Sequence, residues 1–127
     1  MSYKVTVIIP TYNSVEFLDS TIASIMNQSI GFENIELIIV DDYSTDNTQE
    51  LINSYCEKYE NIKTFESGKK TGTPGRARNI GIANSTAEYI MFIDHDDNYL
   101  PESVEKLYDA VTKNSCDVAT VSYTHLR

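Results

Sequence analysis

The chain has 127 residues, enough for one domain with a working core, and its 41% hydrophobic content is that of an ordinary globular protein. Nineteen acidic residues against ten basic ones give a net charge of −9, which disfavours non-specific binding to nucleic acid or anionic lipid. The longest apolar runs, residues 5–10 and 37–40, are too short to span a bilayer, and the N-terminus reads directly as a strand and not as a signal peptide. A cytoplasmic location is therefore expected, with any membrane association left to a longer full-length protein. Cys56 and Cys116 lie sixty residues apart without CxxC spacing or histidine partners and read as reduced structural thiols.

Strand and helix signals alternate from the start. Residues 3–9 (YKVTVII) predict a buried strand by their β-branched content and their stop at Pro10. Asn13, with Glu16 three residues on, predicts an N-cap opening a helix to about Gln28, with Phe17, Leu18, Ile22 and Ile25 on its apolar face. Residues 36–40 (ELIIV) predict a second strand that runs into Asp41 and Asp42. Ser44 then caps a helix to about Tyr59, with Leu51, Ile52 and Tyr55 inward. Residues 62–65 predict a short third strand, residues 66–74 (ESGKKTGTP) a loop and residues 75–84 a helix. Residues 88–93 (EYIMFI) predict the fourth strand, ending on Asp94. Residues 100–114 predict a helix opened by Pro101 and Glu102, both suited to a first turn. Residues 117–120 begin a fifth strand. Such alternation implies βαβ units: an α/β fold with a mostly parallel sheet and helices on both faces, truncated after about the fifth strand.

The last seven residues, 121–127 (VSYTHLR), read as foreign. Back-translated as GTC TCT TAT ACA CAT CTC CGA, they resemble a transposon-end sequencing adapter. The domain is accordingly expected to occupy residues 1–120, and His125 receives no functional weight.

In a parallel α/β sheet, ligands bind outside the carboxyl ends of the strands. Polar residues collect at those ends here: Pro10, Thr11, Tyr12 and Asn13 after the first strand, Asp41 and Asp42 after the second, Asp94, His95, Asp96 and Asp97 after the fourth. Three carboxylates within four residues repel one another and call for a counter-charge, which a hard divalent cation, Mg²⁺ or Mn²⁺, supplies through oxygen ligands. Such a metal bridges phosphates and neutralises a departing diphosphate. A bare Asp-x-Asp-Asp is more often a solvated turn that caps a helix; its position behind EYIMFI favours the functional reading. Asp41 and Asp42 fit turn chemistry, or the acceptance of hydrogen bonds from a base or a ribose, the latter more strongly for Asp42.

The stretch from Gly68 to Arg78 holds four of the ten bases and three of the five glycines, the makings of an anion site at a helix N-terminus. It is not a P-loop, since GxxxxGK[ST] is absent. Lys69 and Lys70 read as solvated, whereas Arg76 and Arg78 lie on the helix and at least one should face the sheet edge. Tyr12, one of nine tyrosines, can stack on a base.

These motifs together resemble the inverting family-2 glycosyltransferases of GT-A (Rossmann-like) fold. The resemblance covers residues 4–118 and rests on VTVIIPTYN, ELIIVDDYSTDNT, GRARNIGIANSTAEYIMFIDHDD and LPESVEKL, in order and at compatible spacing. It implies transfer of a sugar from a nucleotide-diphospho-sugar, with a UDP-sugar as the expected donor, to a carbohydrate or lipid-linked acceptor in surface polysaccharide or glycolipid synthesis. It implies that Pro10, Thr11, Tyr12, Asn13 and Asp42 hold the base, with Asp41 beside them, and that Arg78 lies near the nucleotide. Asp94 and Asp96 are expected on the ribose and diphosphate, with Asp96 and Asp97 on a divalent metal, Mn or Mg. His95, at the variable position of the acidic motif, reads as a bystander. Family members continue into an acceptor half carrying the general base; no segment here matches it, so no catalytic residue is assigned. An inverting displacement needs a base against the attacking hydroxyl, and this donor half should bind but scarcely catalyse.

Two other architectures share parts of this pattern. IELIIVDDYS is similar to the opening of a response-regulator receiver, but a strand-helix unit precedes the acidic pair and no strand-end lysine follows. A nucleotidyltransferase would carry a Gly-rich basic loop after the first strand, where Pro10–Asn13 is the wrong chemistry.

Overall fold

Two apolar runs, VTVIIPT and IELIIVD, form the centre of the molecule. They are strands β1 (Val5–Thr11) and β2 (Ile35–Asp41), paired in parallel from Val5 opposite Ile35 to Thr11 opposite Asp41, with every residue of both buried. The near-continuous apolar pattern is that of strands covered on both faces. The computed structural model describes residues 3–67, 74–95, 97–113 and 124–125. Strand β3 (Ile62–Glu66) lies outside β2, beyond the helices α1 (Leu18–Met26) and α2 (Thr48–Lys58) in the chain. Helix α3 (Pro74–Asn84) then leads to β4 (Tyr89–Phe92), which pairs with β1 from the other side. The sheet order is β3-β2-β1-β4, all parallel. This is the doubly wound order in which the chain changes direction across the β1–β4 junction, where such sheets open a ligand crevice.

The layers follow from strand alternation. Val5, Val7 and Ile9 of β1 with Ile35, Leu37 and Ile39 of β2 meet Leu18, Ile22 and Ile25 of α1, Ile52 of α2 and Val104 of α4 (Ser103–Lys113). Ile8, Ile38 and Val40 face the opposite way, onto Ala77 and Ile80 of α3. Each fully buried Ile or Leu is worth about 1.5–3 kcal/mol. Helix α3 comes so close that a Cβ added at Gly81 would stand 2.6 Å from Ile8 Cγ2. At the amino end of the sheet, buried Glu36 accepts hydrogen bonds from Thr6 Oγ1 (2.7 Å), the Thr86 backbone N–H (2.8 Å) and Thr86 Oγ1 (3.0 Å), and pairs with Lys63 Nζ. Burial pushes the Glu36 carboxyl up, but the hydrogen bonds from Lys63, Thr86 and Thr6 outweigh it and hold the carboxyl below its ordinary range.

Several boundaries differ from those the sequence predicts. Strand β1 does not stop at Pro10 but runs through it to Thr11. The Ile93 N–H donates to the Ile8 carbonyl at 3.1 Å, and the parallel pattern would next require a donor at position 10 on the β4 side. Proline has none, so the β1–β4 ladder ends there while the β1–β2 ladder continues. Asn13 is no helix cap: it takes a left-handed φ of 48°, and α1 starts only at Leu18 after a turn. Phe17, expected on the inner face, is 39% exposed. Ser44 likewise caps nothing, since α2 starts at Thr48, and Pro101 and Glu102 form a turn ahead of α4. An unpredicted two-residue strand, β5 (Asp97–Asn98), pairs antiparallel with β6 (Thr124–His125). The expected fifth strand at residues 117–120 lies outside the described residues.

Candidate functional site

The carboxyl ends of β1 and β2 are knitted together by short polar side chains. Thr11 Oγ1 donates to Asp41 Oδ1 at 2.9 Å, and Ser44 donates to the same carboxylate through its backbone N–H (3.0 Å) and its hydroxyl (2.5 Å). Asp41 is 3% exposed, so its carboxylate is occupied within the protein. Asn13 Oδ1 accepts the Thr45 N–H at 2.7 Å, which its left-handed backbone permits, and the Asn13 N–H reaches Ser44 Oγ at 2.9 Å. Pro10 and Thr11 are buried, Tyr12 is half-buried and Asn13 exposed. Of the four residues expected at the base, Tyr12 and Asn13 are the two at the surface.

Asp42 faces the other way. It is 7% exposed, and Ser67 Oγ, at the end of β3, donates to its Oδ1 at 2.8 Å. Ser67 in turn is held by its N–H on the Asp41 carbonyl (3.1 Å) and by Arg76 Nε on its own carbonyl (2.7 Å). Arg76 is thus turned toward the sheet edge. So is Arg78, whose Nη2 lies 3.4 Å from Asp94 Oδ1 with the two side chains 40% and 48% exposed. The Arg78 guanidinium also sits 5.7 Å from the centre of the half-exposed Phe92 ring. Lys69, Lys70 and Gly72 lie outside the described residues.

The acidic turn after β4 is docked on α1. Thr21 Oγ1 donates to the His95 carbonyl (2.8 Å), Asn98 Nδ2 to Ser20 Oγ (2.8 Å), and the Tyr99 N–H to Ser24 Oγ (3.2 Å). His95 Nδ1 is 2.5 Å from Ser14 Oγ, and its ring meets the edge of Phe17. Among the described carboxylates of this turn, Asp94 faces solvent and Asp97 is 1% exposed; Asp96 lies outside the described residues. Among the described residues no three His, Cys, Asp or Glu side chains converge to hold a metal. The sequence reading missed Ser14, Ser67 and the docking role of His95. Only their places beside the strand-end motifs could have flagged them.

The family model for glycosyl transferase family 2 matches residues 6–125. The chain belongs to glycosyltransferase family 2. It is 36% identical over 115 residues to a poly(ribitol-phosphate) β-glucosyltransferase of Bacillus spizizenii, covering 91% of this chain and 18% of that one. It is 39% identical over 121 residues to the poly(ribitol-phosphate) β-N-acetylglucosaminyltransferase TarP of Staphylococcus aureus, covering 94% and 36%. Among solved structures, S. aureus TarS (residues 1–349) in complex with UDP-GlcNAc superposes with a TM-score of 0.81 at 29% identity, over 88% of this chain and 32% of that one. This family-2 chain therefore spans between about a fifth and just over a third of the length of the two curated relatives. The GT-A architecture is as expected from the resemblance, and the receiver and nucleotidyltransferase readings find no support. The sheet order also argues against a receiver, whose flavodoxin-like order is 2-1-3-4-5. No helix among the described residues is long and apolar enough to cross a membrane.

Proposed function

We propose that this chain is the donor-binding half of a transferase that moves a sugar from a UDP-sugar to a carbohydrate or lipid-linked acceptor, in the synthesis of a cell-surface polysaccharide such as a teichoic acid. The observation that carries this reading is the meeting of Arg78 and Asp94 at the mouth of the β1–β4 crevice, with Asp42 at the adjoining strand end. The poly(ribitol-phosphate) transferases among its relatives and the UDP-GlcNAc bound in TarS support the donor and acceptor classes. A cytoplasmic site of action suits a nucleotide-sugar donor. Residues 1–120 form this half, and the tail 121–127 is read as non-native.

The roles divide by exposure. Tyr12 offers a face on which a base can stack, and Asn13 lines the same rim. Asp42, its carboxylate fixed by Ser67, accepts a hydrogen bond from the base edge. Asp94 accepts from the ribose hydroxyls, with Arg78 held beside it to offset the diphosphate charge. Pro10, Thr11 and Asp41 support the rim from within. The donor set fits a hard cation: the exposed chemistry of the acidic turn is carboxylate oxygen, and the one imidazole in it is engaged by Ser14. Asp96 is the carboxylate assigned to that metal. Asp97, expected beside it, is buried, with its N–H on the Asp94 carbonyl at 3.1 Å. When bound, Mg²⁺ or Mn²⁺ would offset charge on the diphosphate leaving group. Proton removal from the acceptor requires a base that no described residue supplies.

Calorimetry of UDP with and without Mn²⁺ tests the proposal. Binding that strengthens with the metal is expected; absent or metal-independent binding refutes it.

A further inference from the structure

His95 sits between two acidic residues and would be dismissed as filler, yet its ring is the link between the two halves of the mouth. Its Nδ1 lies 2.5 Å from Ser14 Oγ, in a hydrogen bond whose direction depends on the imidazole tautomer. Ser14 is fully buried and anchored on every side. Its hydroxyl accepts the Tyr12 N–H at 3.1 Å, its own N–H donates to Thr48 Oγ1 at 2.8 Å, and its carbonyl accepts the N–H groups of Phe17 and Leu18. Ser14 therefore belongs to the rigid rim that carries Tyr12 and Asn13. On the other side, the His95 carbonyl is fixed by Thr21 Oγ1, so the residue is clamped at both main chain and ring. Asp94 and Asp96 flank it in sequence.

We propose that His95 is a positioning residue that fixes the separation between the base-binding rim at Tyr12–Asn13 and the acidic turn that carries Asp94. The inference rests on the donor-site reading above and adds to it a residue that touches no ligand. Its physical content is preorganisation. A nucleoside diphosphate that grips base and diphosphate together gains from two subsites held at the right span, and it loses that gain if one of them drifts. A ligand that uses the base side alone is indifferent to the span. His95 thus favours ligands that reach both sides, and a nucleoside diphosphate, which adds the metal-dependent contact, gains more from it than a monophosphate, which reaches the turn only through its ribose.

The test is calorimetry on the 127-residue protein with UDP plus Mn²⁺ and, separately, with UMP. Loss of one hydrogen bond of ordinary strength predicts that His95→Ala weakens UDP about three- to tenfold, with UMP changed less than about twofold on the same scale. Unchanged UMP affinity shows in the same titration that the variant is folded. His95→Asn keeps a hydrogen-bonding atom near the position of Nδ1 and should restore most of the UDP affinity. Ser14→Ala, which also removes the acceptor of the Tyr12 N–H, should weaken UDP at least as much as His95→Ala, and adding His95→Ala to it should cost nothing further. Equal loss of UDP and UMP, no loss of UDP, failure of His95→Asn to rescue, or additive single effects would each overturn the inference. If the unaltered protein binds no UDP in the presence of Mn²⁺, it is the donor-site reading that fails.

Discussion

Replacing Glu36 by glutamine tests how the amino end of the sheet is held. The carboxylate joins β1 through Thr6, β3 through Lys63 and the approach to β4 through Thr86, so one side chain ties three strands. In Glu36→Gln the amide oxygen can keep Thr6 Oγ1 and the Thr86 N–H, which share Oε1. The new NH₂ group then faces Lys63 Nζ and Thr86 Oγ1, both of which donate to Oε2. The threonine hydroxyl can rotate and accept; the ammonium cannot, and Lys63, 37% exposed, turns to solvent. One charge-assisted bond is lost and one neutral bond weakened, so the cost is about 2–4 kcal/mol at neutral pH. The pH dependence carries a definite sign. Because the folded carboxyl titrates below its unfolded value, its contribution is fully present above about pH 4.3 and is lost as the pH falls through the folded value. Urea denaturation of both proteins at pH 7 and at progressively lower pH measures this. A pH 7 difference below about 0.5 kcal/mol, or one that fails to shrink under acid, would refute the reasoning.

Four further outcomes follow from the same geometry. Gly81→Ala drives a methyl into Ile8 and should destabilise by about 1–3 kcal/mol in the same assay, unlike a Gly75→Ala control, where a Cβ meets nothing within 4 Å. Asp42→Ala should weaken UDP about tenfold or more by calorimetry while the Mn²⁺ effect persists, since it removes a charged acceptor on the base side only. Asp96→Ala should abolish the Mn²⁺ effect in the same calorimetry, as the proposed donor site requires. Asp97→Ala, at a side chain 1% exposed, should instead lower the thermal midpoint, by several degrees for about 1 kcal/mol in a chain of this size.

The framework was legible because it depends on local pattern. VTVII and ELIIV are β-branched and apolar without interruption, and the face each residue takes follows from alternation once both are read as covered strands. The convergence of Asp42, Arg78 and Asp94 at one sheet edge was legible for the same reason, since parallel strands put their carboxyl ends together. What local pattern could not supply was partnership over distance. Asn13 looks like a helix cap beside Glu16, but its acceptor is claimed by Thr45, 32 residues away. Glu36 looks like the polar start of a strand, and its burial makes sense only with Lys63 and Thr86 beside it, 27 and 50 residues on. His95 looks idle until Ser14, 81 residues earlier, is found against it.

Asp41 and Asp42 show how one dipeptide carries two separate jobs. Neighbouring side chains at a strand end point to opposite faces, so two carboxylates one residue apart meet different surroundings. Asp41 turns toward the β1 side and is taken up by Thr11 and Ser44, which closes the gap between two strand ends. Asp42 turns toward Ser67 and the start of α3, the side from which Arg76 and Arg78 are presented. The first carboxylate gives the rim its rigidity, and the second gives it a charged acceptor. Neither can substitute for the other, because exchanging their roles would require a one-residue slip of β2 that turns Leu37 and Ile39 out of the core they share with α1. The register of a buried strand thereby decides which of two identical side chains is offered to the proposed donor site.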